Sequence, residues 1–175
     1  MDQFADDPPV EERVAEALTD RQETVAVAES ATGGLVGSLL TAVPGSSTYF
    51  DRGYVTYAYD AKRAELAITR EALDAHGAVS EPVARQMAQA ARDRADVDWG
   101  ISTTGVAGPS GGTAETPVGT VYVGLAWAAP WESDASGATV QRHVFEGDRR
   151  ANRERMARAA LSALEDGLLA DRTNQ

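Results

Sequence analysis

Lys62 is the only lysine in a chain with 16 Lys and Arg residues in total. Every other permanent cation is an arginine. A guanidinium cannot act as a base near neutral pH, whereas an amine can once burial lowers its ordinary pKa of ~10.4. One amine kept among arginines therefore marks a candidate general base. Its natural partner is a hydroxyl: a neutral amine can take the proton of a serine that attacks an acyl or amide carbon. That chemistry needs no metal ion and no cofactor.

Four polar segments could supply the rest of a site. In Glu29-Ser30-Ala31-Thr32-Gly33-Gly34, a strand end runs into a helix. Glycines there let the backbone approach a ligand, and the free N–H groups of a helix N-terminus attract an anion. Thr32, Gly33 and Gly34 are thus candidate phosphate-binding residues, and Ser30 is a candidate nucleophile beside Lys62. Gly45-Ser46-Ser47 follows a helix and reads as a turn. Tyr57 to Lys62 holds the amine itself. Thr103-Thr104-Gly105 offers hydroxyls and N–H groups to a developing oxyanion. Arg149, at the start of the last helix, could join them as an anion clamp.

These groups meet only if the elements between them fold suitably. The pattern predicts a helix from Val10, a buried strand over Thr24–Ala28, and a helix from Gly34 to about Ala42. A strand follows over Tyr54–Tyr59, with Arg52-Gly53 as a possible bend. Short helices are expected over 60–67 and 70–75, and a longer one from Ser80 to about Arg94. Strands over Trp99–Thr104, Thr120–Trp127 and Thr139–Phe145 precede a long final helix capped by Asp148. This order predicts a three-layer α/β/α fold with a mixed central sheet of about five strands. Tyr54, Tyr57 and Tyr59 read as strand packing. If the strands ending at Ser30, Tyr59 and Thr104 run parallel, their loops meet at one sheet edge, where open α/β sheets bind ligands.

Composition narrows the function further. There are no cysteines and two histidines, His76 and His143, which have no second ligand at useful spacing. Zinc and histidine-triad chemistry are not expected. Gly108-Pro109-Ser110-Gly111-Gly112 lacks the Lys-Ser/Thr of a P-loop. A net charge of −11 argues against nucleic acid as a partner. No apolar run reaches the ~20 residues that span a bilayer, and the acidic segment 1–9 has no features of a secretory signal. The expectation is a flexible acidic tail over 1–9 and one domain over 10–170, cytoplasmic, without a membrane partner, acting on a small-molecule nucleotide. A homo-oligomer, a dimer in the simplest case, is the expected assembly.

Read together, several motifs resemble the C-terminal domain of the CinA family. They are Ala28-Glu29-Ser30-Ala31-Thr32-Gly33-Gly34, Pro44-Gly45-Ser46-Ser47, Gly53-Tyr54-Val55-Thr56-Tyr57, Ala61-Lys62, His76-Gly77-Ala78-Val79-Ser80, Thr104-Gly105-Val106-Ala107-Gly108-Pro109, Pro117-Val118-Gly119-Thr120-Val121 and Gly147-Asp148-Arg149. The family includes stand-alone PncC-type nicotinamide-nucleotide amidohydrolases. The resemblance implies hydrolysis of the carboxamide of nicotinamide mononucleotide to nicotinate mononucleotide and ammonia, in pyridine nucleotide salvage. It implies a catalytic group at Ser47, Tyr57 and Lys62. It places Thr104 and Arg149 in the same pocket; Ser46 and Gly105 are also expected among the substrate-binding residues. Ala31 stands where many members have Cys, so a thiol there is not part of this protein's chemistry. Ser110 stands where Asp or Gly is common.

The two lines of reasoning differ on the nucleophile. Strand-end geometry favours Ser30; the resemblance favours Ser47, which is the expectation, with Ser30 as its rival. A straight strand between Ser47 and Lys62 would hold them far apart at ~3.3 Å per residue. The competing function is a non-catalytic nucleotide- or protein-binding domain of the competence/damage-inducible type, in which Lys62 is only a counter-charge.

The acidity makes a first prediction. Self-repulsion among the excess negative charges should destabilise the compact state at low ionic strength. Between 0.01 M and 1 M salt the Debye length falls from ~30 Å to ~3 Å. The melting temperature should therefore rise with added KCl; a flat curve would leave the acidity without a role in stability.

Overall fold

The computed structural model describes residues 3–172. Met1 and Asp2 of the expected tail lie outside the described residues. Five strands form one sheet: β1 (Val25–Glu29), β2 (Phe50–Val55), β3 (Trp99–Gly105), β4 (Thr120–Trp127) and β5 (Gly137–Val144), in the order β2-β1-β3-β4-β5. β1 pairs parallel with β2 and β3, whereas β3, β4 and β5 pair antiparallel. Helices α1 (Val10–Arg21), α2 (Leu35–Ala42) and α6 (Arg149–Arg172) cover one face; α3 (Tyr59–Leu66), α4 (Arg70–His76) and α5 (Glu81–Ala95) lie on the other. This is the predicted three-layer arrangement with a mixed five-stranded sheet.

The two cores follow from the period of two along a strand. On β1, Val25 and Val27 enter the core shared with α1, α2 and α6, while Ala26 and Ala28 enter the core beneath α4 and α5. The first core is the larger. It takes Val14 and Leu18 of α1, Ile101 of β3, Val121 and Val123 of β4, and Met156, Leu161, Leu164 and Leu168 of α6. Asp148 caps α6 as expected, its side chain accepting from the Ala151 amide at 2.8 Å. α1 and α6 are also joined by a buried charge cluster, with Arg158 donating to Glu11 at 2.7 Å and to Glu154 at 3.3 Å.

Three expectations need correction. The strand placed at Tyr54–Tyr59 lies at Phe50–Val55, and Tyr59 opens α3. β2 is an edge strand with most of its side chains exposed, so it lacks the strong apolar signature of β1. Arg52-Gly53 lies within β2, in register with Ala26-Val27, and is not a bend. Tyr57 and Tyr59 do not pack in a strand; they are 62% and 53% exposed. In the expected tail, the Phe4 amide donates to Glu154 and its ring lies under the Arg155 guanidinium, which tethers the segment to α6. Among the described residues no helix is long and apolar enough to cross a membrane.

α5 lies directly on sheet backbone. A Cβ on Gly100 of β3 would stand 2.1 Å from the Ala88 carbonyl oxygen, and one on Gly124 of β4 would stand 2.6 Å from that of Ala84. Both neighbours are helix backbone and cannot swing aside, so a methyl group would push the helix off the sheet. Overpacking of this kind costs about 3 kcal/mol. Gly100→Ala should therefore lower the melting temperature by about 6–12 °C, at ~2–4 °C per kcal/mol for a chain of this size. Calorimetry checks this, and an unchanged transition would contradict the contact.

Candidate functional site

The parallel strands β2, β1 and β3 bring three loops to one sheet edge. β1 delivers Ser30, whose amide extends the ladder by donating to the Thr103 carbonyl at 2.9 Å. β2 delivers Thr56 and Tyr57, and the Thr56 amide donates to the Glu29 carbonyl at 2.8 Å. α3 starts immediately afterwards, and Lys62 on it reaches back over the loop. β3 delivers Thr103, Thr104 and Gly105.

The Lys62 side chain is only 1% exposed. Its Nζ lies 2.9 Å from Ser30 Oγ, 2.7 Å from the Thr56 carbonyl oxygen and 3.2 Å from that of Tyr57. Burial pushes the amine down to about 8 from its ordinary value of 10.5. The contacts fit both protonation states. An ammonium donates three hydrogens. A neutral amine donates two to the carbonyls and presents its lone pair to the serine hydroxyl. A group that accepts a proton from Ser30 and later returns it needs this dual fit. Ser30 is itself nearly buried, at 9% exposure.

Other expected residues fall into place differently. Tyr57 flanks the pair through its carbonyl, and its exposed hydroxyl accepts from Arg149 Nη2 at 3.1 Å. Arg149 Nη1 donates to the Gly108 carbonyl at 2.5 Å, so Arg149 joins two of the loops. Thr104 is buried, and its hydroxyl donates to the Ala78 carbonyl at 2.6 Å. That hydrogen is committed to protein and not free for an oxyanion. Gly105 lies where β3 meets β4; a Cβ there would stand 2.3 Å from the Thr120 carbonyl oxygen.

Ser47 and Ser46 are not brought to Lys62. They form a 3-10 turn, Ser46–Thr48, that precedes β2, while Lys62 sits beyond the other end of that strand. β2 has six residues, so about 20 Å of extended backbone separates the two ends at ~3.3 Å per residue. Ser47 is exposed. Within one chain, Ser30 is the hydroxyl that meets the amine.

The expected phosphate seat at Thr32, Gly33 and Gly34 is already filled. The carboxylate of Glu29 accepts from the Thr32 hydroxyl at 2.6 Å and from the amides of Gly34, Val36 and Gly37 at 2.9, 3.1 and 2.9 Å. With the amides of Gly34, Val36 and Gly37 taken by this internal anion, the helix N-terminus has fewer donors left for another. Residue pattern alone could not distinguish the two cases, because the same glycines and threonine serve both.

Two further residues at the site went unread in the sequence. Arg153, one turn after Arg149, donates to the Thr32 carbonyl at 2.6 Å. The i, i+4 spacing from Arg149 was the available signal. Thr56 carries a buried hydroxyl with no partner among the described residues. Immediately after Ser30, the Ala31 amide also has no protein acceptor there.

Known proteins share this architecture and sequence. A "CinA-like protein" of Chlorobaculum tepidum is 51% identical over 155 residues, covering 89% of this chain and 36% of that protein. Another, from Salinibacter ruber, is 48% identical over 155 residues with the same coverage. The chain thus spans about 36% of the length of these curated relatives. Among solved structures, a CinA superfamily protein from Klebsiella pneumoniae superposes with a TM-score of 0.85 at 34% identity, covering 92% of this chain and 96% of that one. The competence/damage inducible protein CihA from Agrobacterium tumefaciens gives 0.83 at 37% identity, covering 96% and 99%. The CinA C-terminal domain model matches residues 7–168, and the chain belongs to that family.

Proposed function

We propose that this domain is an amidohydrolase that converts nicotinamide mononucleotide to nicotinate mononucleotide and ammonia, with Ser30 as nucleophile and Lys62 as base. The observation that carries the reading is the buried Lys62–Ser30 contact of 2.9 Å. An amine held near neutrality beside a hydroxyl has little structural purpose, because a leucine or methionine would fill the same space without a desolvated charge.

In this scheme neutral Lys62 takes the hydroxyl proton as Ser30 Oγ bonds to the carboxamide carbon. The carbonyl electron pair moves onto oxygen. The unpaired Ala31 amide follows the nucleophile directly, the place where acyl-transfer sites commonly find an oxyanion donor. Collapse breaks the C–N bond, and the Lys62 ammonium protonates the leaving nitrogen to give ammonia. Lys62 then deprotonates a water that attacks the acyl-enzyme, and the proton returns to Ser30. The exposed ring of Tyr57 suits the cationic pyridinium of the substrate. Arg149 and Arg153 suit its phosphate in place of the filled seat at Gly33 and Gly34.

Ammonia release from nicotinamide mononucleotide, measured in the presence of chelator, tests the reading directly. Ser30→Ala should lower the rate at least ~10³-fold, the loss typical of a missing nucleophile. Ser47→Ala should leave it within threefold. The opposite result would transfer the role to Ser47, supplied across an interface by a second copy.

Lys62 predicts the pH dependence. Below about 8 the amine is protonated and cannot act as a base, so the rate should climb through that pH and level off above it. Lys62→Arg should abolish turnover while the protein stays folded and still binds the nucleotide. Full activity in Lys62→Arg would reduce the residue to a counter-charge and favour a binding domain.

A further inference from the structure

Glu29 takes no part in the scheme above, yet it is among the most constrained groups in the molecule. It is 1% exposed. One oxygen of its carboxylate accepts three hydrogen bonds, from Thr32, Gly34 and Val36, and the other accepts from Gly37. Among the described residues no cation pairs with it. Its counter-charge is the positive end of α2. A second layer holds it in turn: Thr32 Oγ1 lies 2.6 Å from Thr103 Oγ1. Thr103 is the residue of β3 paired with Glu29 across the sheet.

Successive residues of a strand point to opposite faces. Val25 and Val27 point toward α1, α2 and α6, and Glu29, two residues on, points the same way to meet α2. Ser30 points the other way, toward Lys62 on α3. Glu29 thus grips the elbow from one face while Ser30 presents its hydroxyl on the other. Between them lies the Ser30–Gly34 turn, whose next two amides, Ala31 and Thr32, have no protein acceptor among the described residues. The Glu29 carboxylate ties this turn to α2 and, through Thr32, to β3, alongside the bond from the Ser30 amide to the Thr103 carbonyl.

We infer that Glu29 is a positioning residue that fixes the Ser30 elbow against Lys62 and closes the N-terminus of α2 to ligand anions. The inference rests on the reading of Ser30 as nucleophile. It predicts that loss of the carboxylate slows chemistry with little effect on substrate binding, because Tyr57 and Arg149 are held by each other and by the Gly108 carbonyl, and only Arg153 touches the turn, at the Thr32 carbonyl. In Glu29→Gln the shape is kept, but one amide oxygen cannot accept at both ends, and the new NH2 meets a backbone N–H head on. The base is untouched, so its titration should not move.

The test uses the full chain and two readouts. One is steady-state ammonia release. The other is phosphonylation of Ser30 by a fluorophosphonate, in which the Oγ–P bond forms, fluoride leaves and the hydroxyl proton passes to Lys62; mass spectrometry follows it without any substrate. For Glu29→Gln we expect kcat and the labelling rate to fall together by about 30- to 300-fold. KM should stay within threefold and the pH midpoint should be unchanged. Glu29→Asp keeps the charge but has a shorter arm, and should recover to within about tenfold of wild type. If Glu29→Gln does not fold, Glu29→Asp carries the test, with an expected three- to tenfold loss in labelling at unchanged KM. Wild-type rates in the folded variant, or a loss carried by KM, would overturn the inference. Wild-type protein that labels at Ser30 but releases no ammonia would refute the substrate alone, leaving the inference to be read from labelling. Wild-type protein that does not label at Ser30 would overturn both.

Discussion

One amine held out of water is the constraint on which the site depends. Keeping Lys62 charged where it lies, with its pKa at about 8 against an ordinary 10.5, costs about 3 kcal/mol at 1.36 kcal/mol per pKa unit. Its neighbours are two carbonyls and one hydroxyl, with no carboxylate to hold the proton on. An arginine at this place would remain charged, and it would bring five donors to a niche built for three. The chemical distinction between the two cations, irrelevant on most of the surface, decides the residue here.

The sheet explains how that niche is made. Its parallel half, β2-β1-β3, ends all three strands at one edge, and each strand end contributes one part: the hydroxyl, the carbonyls, the flanking loop. Its antiparallel half, β4 and β5, extends the scaffold and carries the close approach of α5 through Gly124. Chemistry and scaffold are therefore divided along the sheet. Lys62 is tied to the parallel half alone, through contacts that span 32 residues to Ser30 and only six to Thr56. The short contact makes the loop and Lys62 a single unit that folds back on itself.

Much of this was legible in the residues. Lys62 stood out because it is alone among arginines, and β1 because a run of Val and Ala bounded by polar residues has few other uses. β2 was misplaced by four residues. An edge strand needs little apolar alternation, and the tyrosines after it imitate a strand while standing in solvent. The separation of Ser47 from Lys62 followed from strand length, although the family pattern pulled the other way. The role of Glu29 was not legible. Glu-Ser-Ala-Thr-Gly-Gly reads equally well as an empty anion seat and as one filled from within, and the outcome depends on whether the strand's parity turns the glutamate toward the helix.

The two helix N-termini at this edge each hold a carboxylate but differ in the charges around it. α2 is neutralised internally by Glu29. α6 is capped by the Asp148 carboxylate, but no acidic residue lies in its first turn, and Arg149, Arg150 and Arg153 crowd its start. Like charges one turn apart, at the positive end of a helix, are unfavourable. The choice is harder to explain by composition in a chain of net charge −11, where carboxylates are plentiful. Arginines elsewhere, such as Arg13, Arg21 and Arg85, do find carboxylates; Arg149 and Arg153 meet only carbonyls and the Tyr57 hydroxyl. Their remaining N–H groups face no protein anion among the described residues. The arginines at the start of α6 thus place positive charge beside the sheet edge that holds Ser30 and Lys62, through Arg149 at Tyr57 and Arg153 at Thr32.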